Sequence, residues 1–312
     1  MKKQISYVLV ASLSFSFLFS SCKKSETDNK ADTVTEFKVQ TDDEARFINE
    51  TDAVLNDANS ALENLGGTFG GESPLTPQLP FTCDASIAID TTSNLKKITI
   101  TYNGNNCIGN RTRIGVVVIS FSPDFKWIRA GASYTITFQN FKITRKSDNK
   151  ILTINGSKTI KNISGGKLRN LATRVNPIIH EITSTGMAIT FDNGTQRNWQ
   201  IAKRRTFTYD NGIVISITGI SALGGGIAEW GVNRFDKNFT SSILEPLVIK
   251  QSCDFRLVSG KTKHEGAFAT STTTFGLDAS GNAISSCPNG SLYYKVIWTG
   301  ANGNSNMHIG SY

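Results

Sequence analysis

From Cys83 onward the chain alternates apolar and polar residues with a period of two, and no long helical pattern interrupts it. Alternating or β-branched runs occupy Ser86–Asp90, Lys97–Tyr102, Arg113–Phe121, Ser133–Arg145, Ile151–Lys161, Met187–Phe191, Arg205–Tyr209, Ile213–Ile220, Leu247–Val258, Thr270–Leu277 and Leu292–Trp298. Asn103-Gly104, Asp148-Asn149, Asn155-Gly156, Asn193-Gly194 and Asp210-Asn211-Gly212 fall between or inside them, and such pairs supply the positive φ that tight hairpin turns need. Short strands at this spacing predict an all-β body over 83–312, mostly antiparallel and sandwich-like, with an internal break allowed for near 165–175 at Gly165-Gly166.

A repeat within that body bears on its cysteines. Cys83 opens a strand, the strand around Ile98-Thr99-Ile100-Thr101-Tyr102 follows, and then comes Cys107. Cys253 likewise opens a strand, Thr272-Thr273-Thr274-Phe275-Gly276 follows, and then comes Cys287. An antiparallel hairpin brings its two ends together, so each unit places its own two thiols at its open end. Four cysteines permit three pairings; this geometry favours Cys83–Cys107 and Cys253–Cys287. The fifth, Cys22, stands apart.

Ahead of the body, Thr41-Asp42-Asp43-Glu44 has the form of a capping box, and Gly66-Gly67 that of a helix stop. Between them Ile48, Thr51, Val54, Leu55, Ala58, Ala61, Leu62 and Leu65 recur at helical spacing, which predicts one amphipathic helix over 41–65. Its apolar stripe should face protein and its acids the solvent or a basic neighbour. Residues 42–63 carry a net charge of −6 and residues 66–312 one of +12, so the helix is expected against the body or a sheet edge. Residues 66–82, with Pro74, Pro77 and Pro80, read as a spacer.

The N-terminus has the order of an export signal: basic Lys2-Lys3, then an apolar run from Ile5 to Phe19, then small residues. As a helix those residues would reach roughly 22 Å, short of the ~30 Å hydrocarbon core, so a permanent transmembrane helix is not expected. Phe19-Ser20-Ser21-Cys22 resembles the lipobox of bacterial lipoproteins, with Phe at a position more often Leu. The resemblance implies removal of residues 1–21, a diacylglyceryl group on Cys22 and an acylated new amine. Two or more acyl chains hold a protein stably on a bilayer, at ~0.8 kcal/mol per buried CH₂. Residues 22–40 then form a polar tether, and Lys23-Lys24-Ser25-Glu26-Thr27-Asp28 is similar to the charged tracts of surface-exposed Bacteroidota lipoproteins. Together with Arg111-Thr112-Arg113-Ile114-Gly115, Gly156-Ser157-Lys158-Thr159-Ile160-Lys161-Asn162 and Cys253-Asp254-Phe255-Arg256-Leu257-Val258-Ser259-Gly260, the cysteine units resemble a group of uncharacterised Bacteroidota cell-envelope lipoproteins. That resemblance implies a β-rich envelope protein and no particular activity.

Motifs for chemistry are sparse. The three histidines, His180, His264 and His308, stand far from each other and from any cysteine, so neither a metal site nor a cofactor is expected. Gly219-Ile220-Ser221-Ala222-Leu223 has Leu where a nucleophile elbow needs Gly. Gly224-Gly225-Gly226-Ile227-Ala228-Glu229 fails the dinucleotide pattern and reads as a bulge or tight loop. Trp127, in the loop Pro123-Asp124-Phe125-Lys126-Trp127, is a candidate stacking platform for a sugar ring. Lys203-Arg204-Arg205 is the tightest basic cluster, a candidate ligand contact too short to indicate nucleic acid. The expectation is a lipid-anchored envelope protein, outer-membrane and facing either the surface or the periplasm, that binds a glycan or another envelope protein or serves a structural role. The alternative is a secreted glycan hydrolase, whose two facing carboxylates would have to be brought together by the fold.

Overall fold

The computed structural model describes residues 39, 40, 42, 43, 46, 47, 50, 51, 53–55, 57, 58, 62, 83–107, 109–267, 269–300 and 303–312. The signal segment 1–21, Cys22, all but the last two residues of the tether and the spacer 66–82 lie outside the described residues.

The alternating runs fold into strands β1 (Ala85–Asp90), β2 (Lys96–Asn105), β3 (Arg111–Phe121), β4 (Ser133–Arg145), β5 (Ile151–Asn162), β6 (Ile178–Phe191) and β7 (Gln196–Tyr209). The remainder are β8 (Ile213–Gly219), β9 (Ile227–Val232), β10 (Asn238–Lys250), β11 (Arg256–Gly266), β12 (Ala269–Leu277), β13 (Tyr293–Gly300) and β14 (Ser305–Ser311). All belong to one antiparallel, sandwich-like sheet whose spatial order follows the chain. One slot departs from the plain meander. Between the long strands β7 and β10, the short β8 and β9 lie end to end, each pairing with both. Residues 163–177 join β5 to β6 through a 3-10 turn at Leu168–Thr173, and those two strands pair on either side of one register shift.

Several strands depart from the sequence expectation. The run Leu247–Val258 is two strands: β10 ends at Lys250, and left-handed Asp254 and Phe255 reverse the chain into β11. β6 and β7 begin well before Met187 and Arg205, because their first halves place His180, Ser184 and Arg197 on the buried face and so break the apolar alternation. β9 and β14 were not anticipated; Gly224-Gly225-Gly226 is a tight turn that launches β9.

A line of register shifts crosses β3 to β6, at Ile114/Val116, Phe138/Phe141, Asn155/Ser157 and Ser184/Met187. Bulges bend and twist the strands that carry them. Glycine is required on this line: Gly156 has φ +109°, and a Cβ there would lie 2.8 Å from the Gly186 carbonyl oxygen and 2.9 Å from Met187 Cα. Gly115, at φ +125°, would meet the Asn140 carbonyl oxygen at 2.4 Å. The bulges also reset parity on β4 and β6, where the buried side passes from Phe138 to Phe141 and from Ser184 to Met187.

The principal core lies on one face of β2 to β7 and includes Ile100, Ile119, Ile136, Phe141, Ile154, Ile189 and Trp199. Phe47, Val54, Leu55, Ala58 and Leu62 belong to the same cluster, and these residues have helical backbone, as do the other described positions from 39 to 62. Contacts along this stretch progress across the sheet. Gln40 donates to His264 of β11 at 2.6 Å, Phe47 packs on Trp199 of β7, and Asp57 meets Tyr102 of β2 and Arg113 of β3.

Candidate functional site

Where the helical residues cross the sheet, its inner face is cationic. Lys158 of β5, Arg197, Lys203 and Arg205 of β7 and Arg113 of β3 all point to that side, four of them less than a tenth exposed. Burying such groups is costly unless each is neutralised or stacked. Acids from 39–62, with Asp84 and Glu229, answer Arg113 and Lys203 and the arginines around them. Arg113 donates to Asp84 at 2.7 Å through both Nε and Nη2, and to Asp57 at 3.0 Å. Arg111 reaches Glu50 at 2.6 Å, Arg145 reaches Asp42 at 3.2 Å, and Arg234, in the β9–β10 turn, holds Asp43 through two hydrogen bonds. Aromatic faces supply the rest: Arg197 lies 4.1 Å from the centres of both Trp199 and Phe239, Arg234 lies 3.5 Å from that of Phe191, and Lys158 lies 5.1 Å from that of Phe47.

Three of the described acids from 39–62 therefore meet basic neighbours rather than solvent. Asp43, Glu50 and Asp57, seven residues apart, are all buried. Seven-residue spacing returns to one face of a helix, and here that face is turned to the arginines. Burial pushes the carboxyls of Asp43 and Asp57 above the ordinary range, with Arg234 and Arg113 pulling the other way. Burial, with Asp57 beside it, pushes the Tyr102 hydroxyl up; that hydroxyl donates to Asp57 at 2.8 Å. Burial lowers His180 to about 4, and the Arg205 guanidinium adds to the effect.

At the centre of the crossing Phe47, Thr51, Lys158, Ile182, Ile201, Lys203, Arg205 and Glu229 line a void of about 10 Å³. That is close to the least space a single water needs, and far below what a sugar ring requires. Glu229 of β9 is buried and binds Lys203 directly across the sheet. The fold splits the predicted basic triplet. Lys203 and Arg205 point inward, whereas Arg204 points outward and pairs with Glu181 at 2.6 Å, with nearly half of its side chain exposed. Strand parity dictates this, since successive residues face opposite ways.

Trp127 is half-buried against the core, its ring 4.9 Å from those of both Tyr134 and His180 and stacked on Phe125 at 6.1 Å. The Trp127 carbonyl accepts from Asn162 Nδ2 at 2.8 Å. Both cysteine pairs are disulfides: Cys83–Cys107 with Cα atoms 5.2 Å apart and Cys253–Cys287 with 5.4 Å. Cys22 lies outside the described residues.

Among the described residues no group of three or more His, Cys, Asp or Glu side chains is placed to hold a metal ion. Nor is any helix long and apolar enough to cross a membrane, which says nothing of strands. Lys158, Glu229 and Arg113 escaped sequence reading, because alternation alone does not say which face of β5 or β3 is buried and only strand pairing brings Glu229 to Lys203. No protein-family model, no curated protein and no solved structure matches the chain.

Proposed function

We propose that this chain is a lipid-anchored protein of the bacterial cell envelope, outer-membrane in location, whose β body serves a binding or structural role toward a glycan or another envelope protein. The observation that carries the reading is the run from Ile5 to Phe19 leading through Ser20-Ser21 into Cys22. Disulfides at both hairpin units support an oxidising compartment. A binding or structural role, as against hydrolysis in an interior cleft, is supported by the commitment of the buried acids Asp43, Glu50, Asp57, Asp84 and Glu229 to arginine or lysine. The helical residues between 39 and 62 belong in this reading to one amphipathic helix. It fills the inner face of the sheet and leaves the outer face and the sheet edges for partners.

The test is Cys22→Ala in the full chain. Loss of fatty-acid labelling and release from the membrane fraction are expected. A variant that is retained as well as wild type, or a wild-type chain recovered without lipid, would sink the anchor. Whole-cell protease accessibility then separates a surface-facing from a periplasm-facing body.

A further inference from the structure

Among the described residues the sheet is open and ends in two edges, β1 and β14. An edge strand presents a row of unpaired N–H and C=O groups, and proteins that stay monomeric guard such edges with charge, proline or a bulge. β14 has none of these guards. Its residues Ser305-Asn306-Met307-His308-Ile309-Gly310-Ser311 include no Lys, Arg, Asp, Glu or Pro, and pair in unbroken register with β13. Its outer side has no strand partner among the described residues. The register sets Ile297 of β13 opposite Met307, and Ile309 follows on the same face. Ile297 is 42% and Met307 62% exposed, so an apolar patch runs up to the edge and stops there, bordered by Lys295 of β13, which lies opposite half-buried Ile309. The other edge is less inviting: β1 is shorter, ends in Asp90, and is flanked by the Cys83–Cys107 disulfide.

We propose that β14 is a strand-addition interface and that its occupant is β14 of a second copy of this chain, antiparallel about a two-fold axis at His308. That register sets Met307 against the second copy's Ile309 and Ser305 against its Ser311. The apolar patch on each copy then continues into its mate, and no like charges oppose one another, because the strand carries no acid or permanent cation. An isologous β14–β14 contact closes at two copies. A β1–β14 contact would be heterologous and would propagate into fibres. Backbone pairing supplies the attraction, and the Met307–Ile309 contacts on one face fix the register.

The experiment uses the full chain purified in mild detergent. Light scattering should give twice the monomer mass, and His308→Cys should form a disulfide-linked dimer under mild oxidation that reductant dissolves. Directly opposed residues have Cβ atoms ~4.5–5.5 Å apart, near the span a disulfide bridges. Met307→Cys alone should cross-link at least tenfold less, whereas Met307→Cys with Ile309→Cys should cross-link well. Met307→Lys should abolish the dimer and leave the melting temperature within a few degrees of wild type. The proposal is overturned by a monomer at every concentration, by a dimer indifferent to Met307→Lys, by equal cross-linking at 307 and 308, or by a His308→Cys adduct in cells with a different protein.

Discussion

His180 shows how one buried side chain ties the fold to pH. Its ring packs between Trp127 and Phe207, and its register partner on β7 is Arg205. The folded-state value of about 4 lies below the unfolded one, so the neutral ring favours the fold above pH ~6.5, and stability falls as pH drops from there toward 4. The contribution lost over that window is about 3 kcal/mol. Asp43 and Asp57 act in the opposite sense. Their raised values mean that the fold takes up protons more readily than the unfolded chain, which offsets part of the acid loss. Urea unfolding of wild type and His180→Phe should therefore give curves that converge at low pH: the variant loses less stability than wild type between pH 6.5 and 4. Parallel pH profiles would show that His180 is not the group responsible.

At the scale of single strands, the bulge line across β3 to β6 is the decisive device. It shifts parity inside β4, from Phe138 to Phe141, and inside β6, from Ser184 to Met187, while β5 between them keeps Leu152, Ile154, Lys158 and Ile160 on one buried side. Gly156→Val should cost about 2–3 kcal/mol, since a β-branched residue at positive φ is strained and its Cβ would collide with the β6 backbone. Gly290→Ala, where a Cβ meets nothing within 4 Å, should be nearly neutral. Chemical denaturation of both variants checks the contrast, and equal effects would remove the bulge from the account. Buried ion pairs such as Arg113 with Asp57 and Asp84 add little net stability. Removing one partner is nonetheless costly, because it leaves a charge stranded under the sheet.

For the whole molecule, the stretch before the spacer is part of the core. Phe47, Val54, Leu55 and Leu62 are each at most 6% exposed, and burying a side chain of that size stabilises by ~1.5–3 kcal/mol. Removing them forfeits on the order of 10 kcal/mol, comparable to the total stability of a typical domain. A soluble fragment beginning at residue 66 should therefore fail to fold cooperatively, binding hydrophobic dye and aggregating, whereas the chain from residue 23 folds. A sharp melting transition in the shorter fragment would contradict this. Ligand screens accordingly belong on the longer chain.

Period-two alternation and turn chemistry were enough to show an antiparallel β body, and two hairpins were enough to pair Cys83 with Cys107 and Cys253 with Cys287. Those inferences rest on contacts between near neighbours, where a local pattern settles geometry. Sequence could not say that Lys203 and Arg205 rather than Arg204 face inward, that Glu229 meets Lys203, or that Asp43, Glu50 and Asp57 lie buried against arginines. Alternation tells which residues share a face of a strand; only the assembled sheet decides which face is inside. Charges follow their partners, and these partners lie tens to nearly two hundred residues away along the chain.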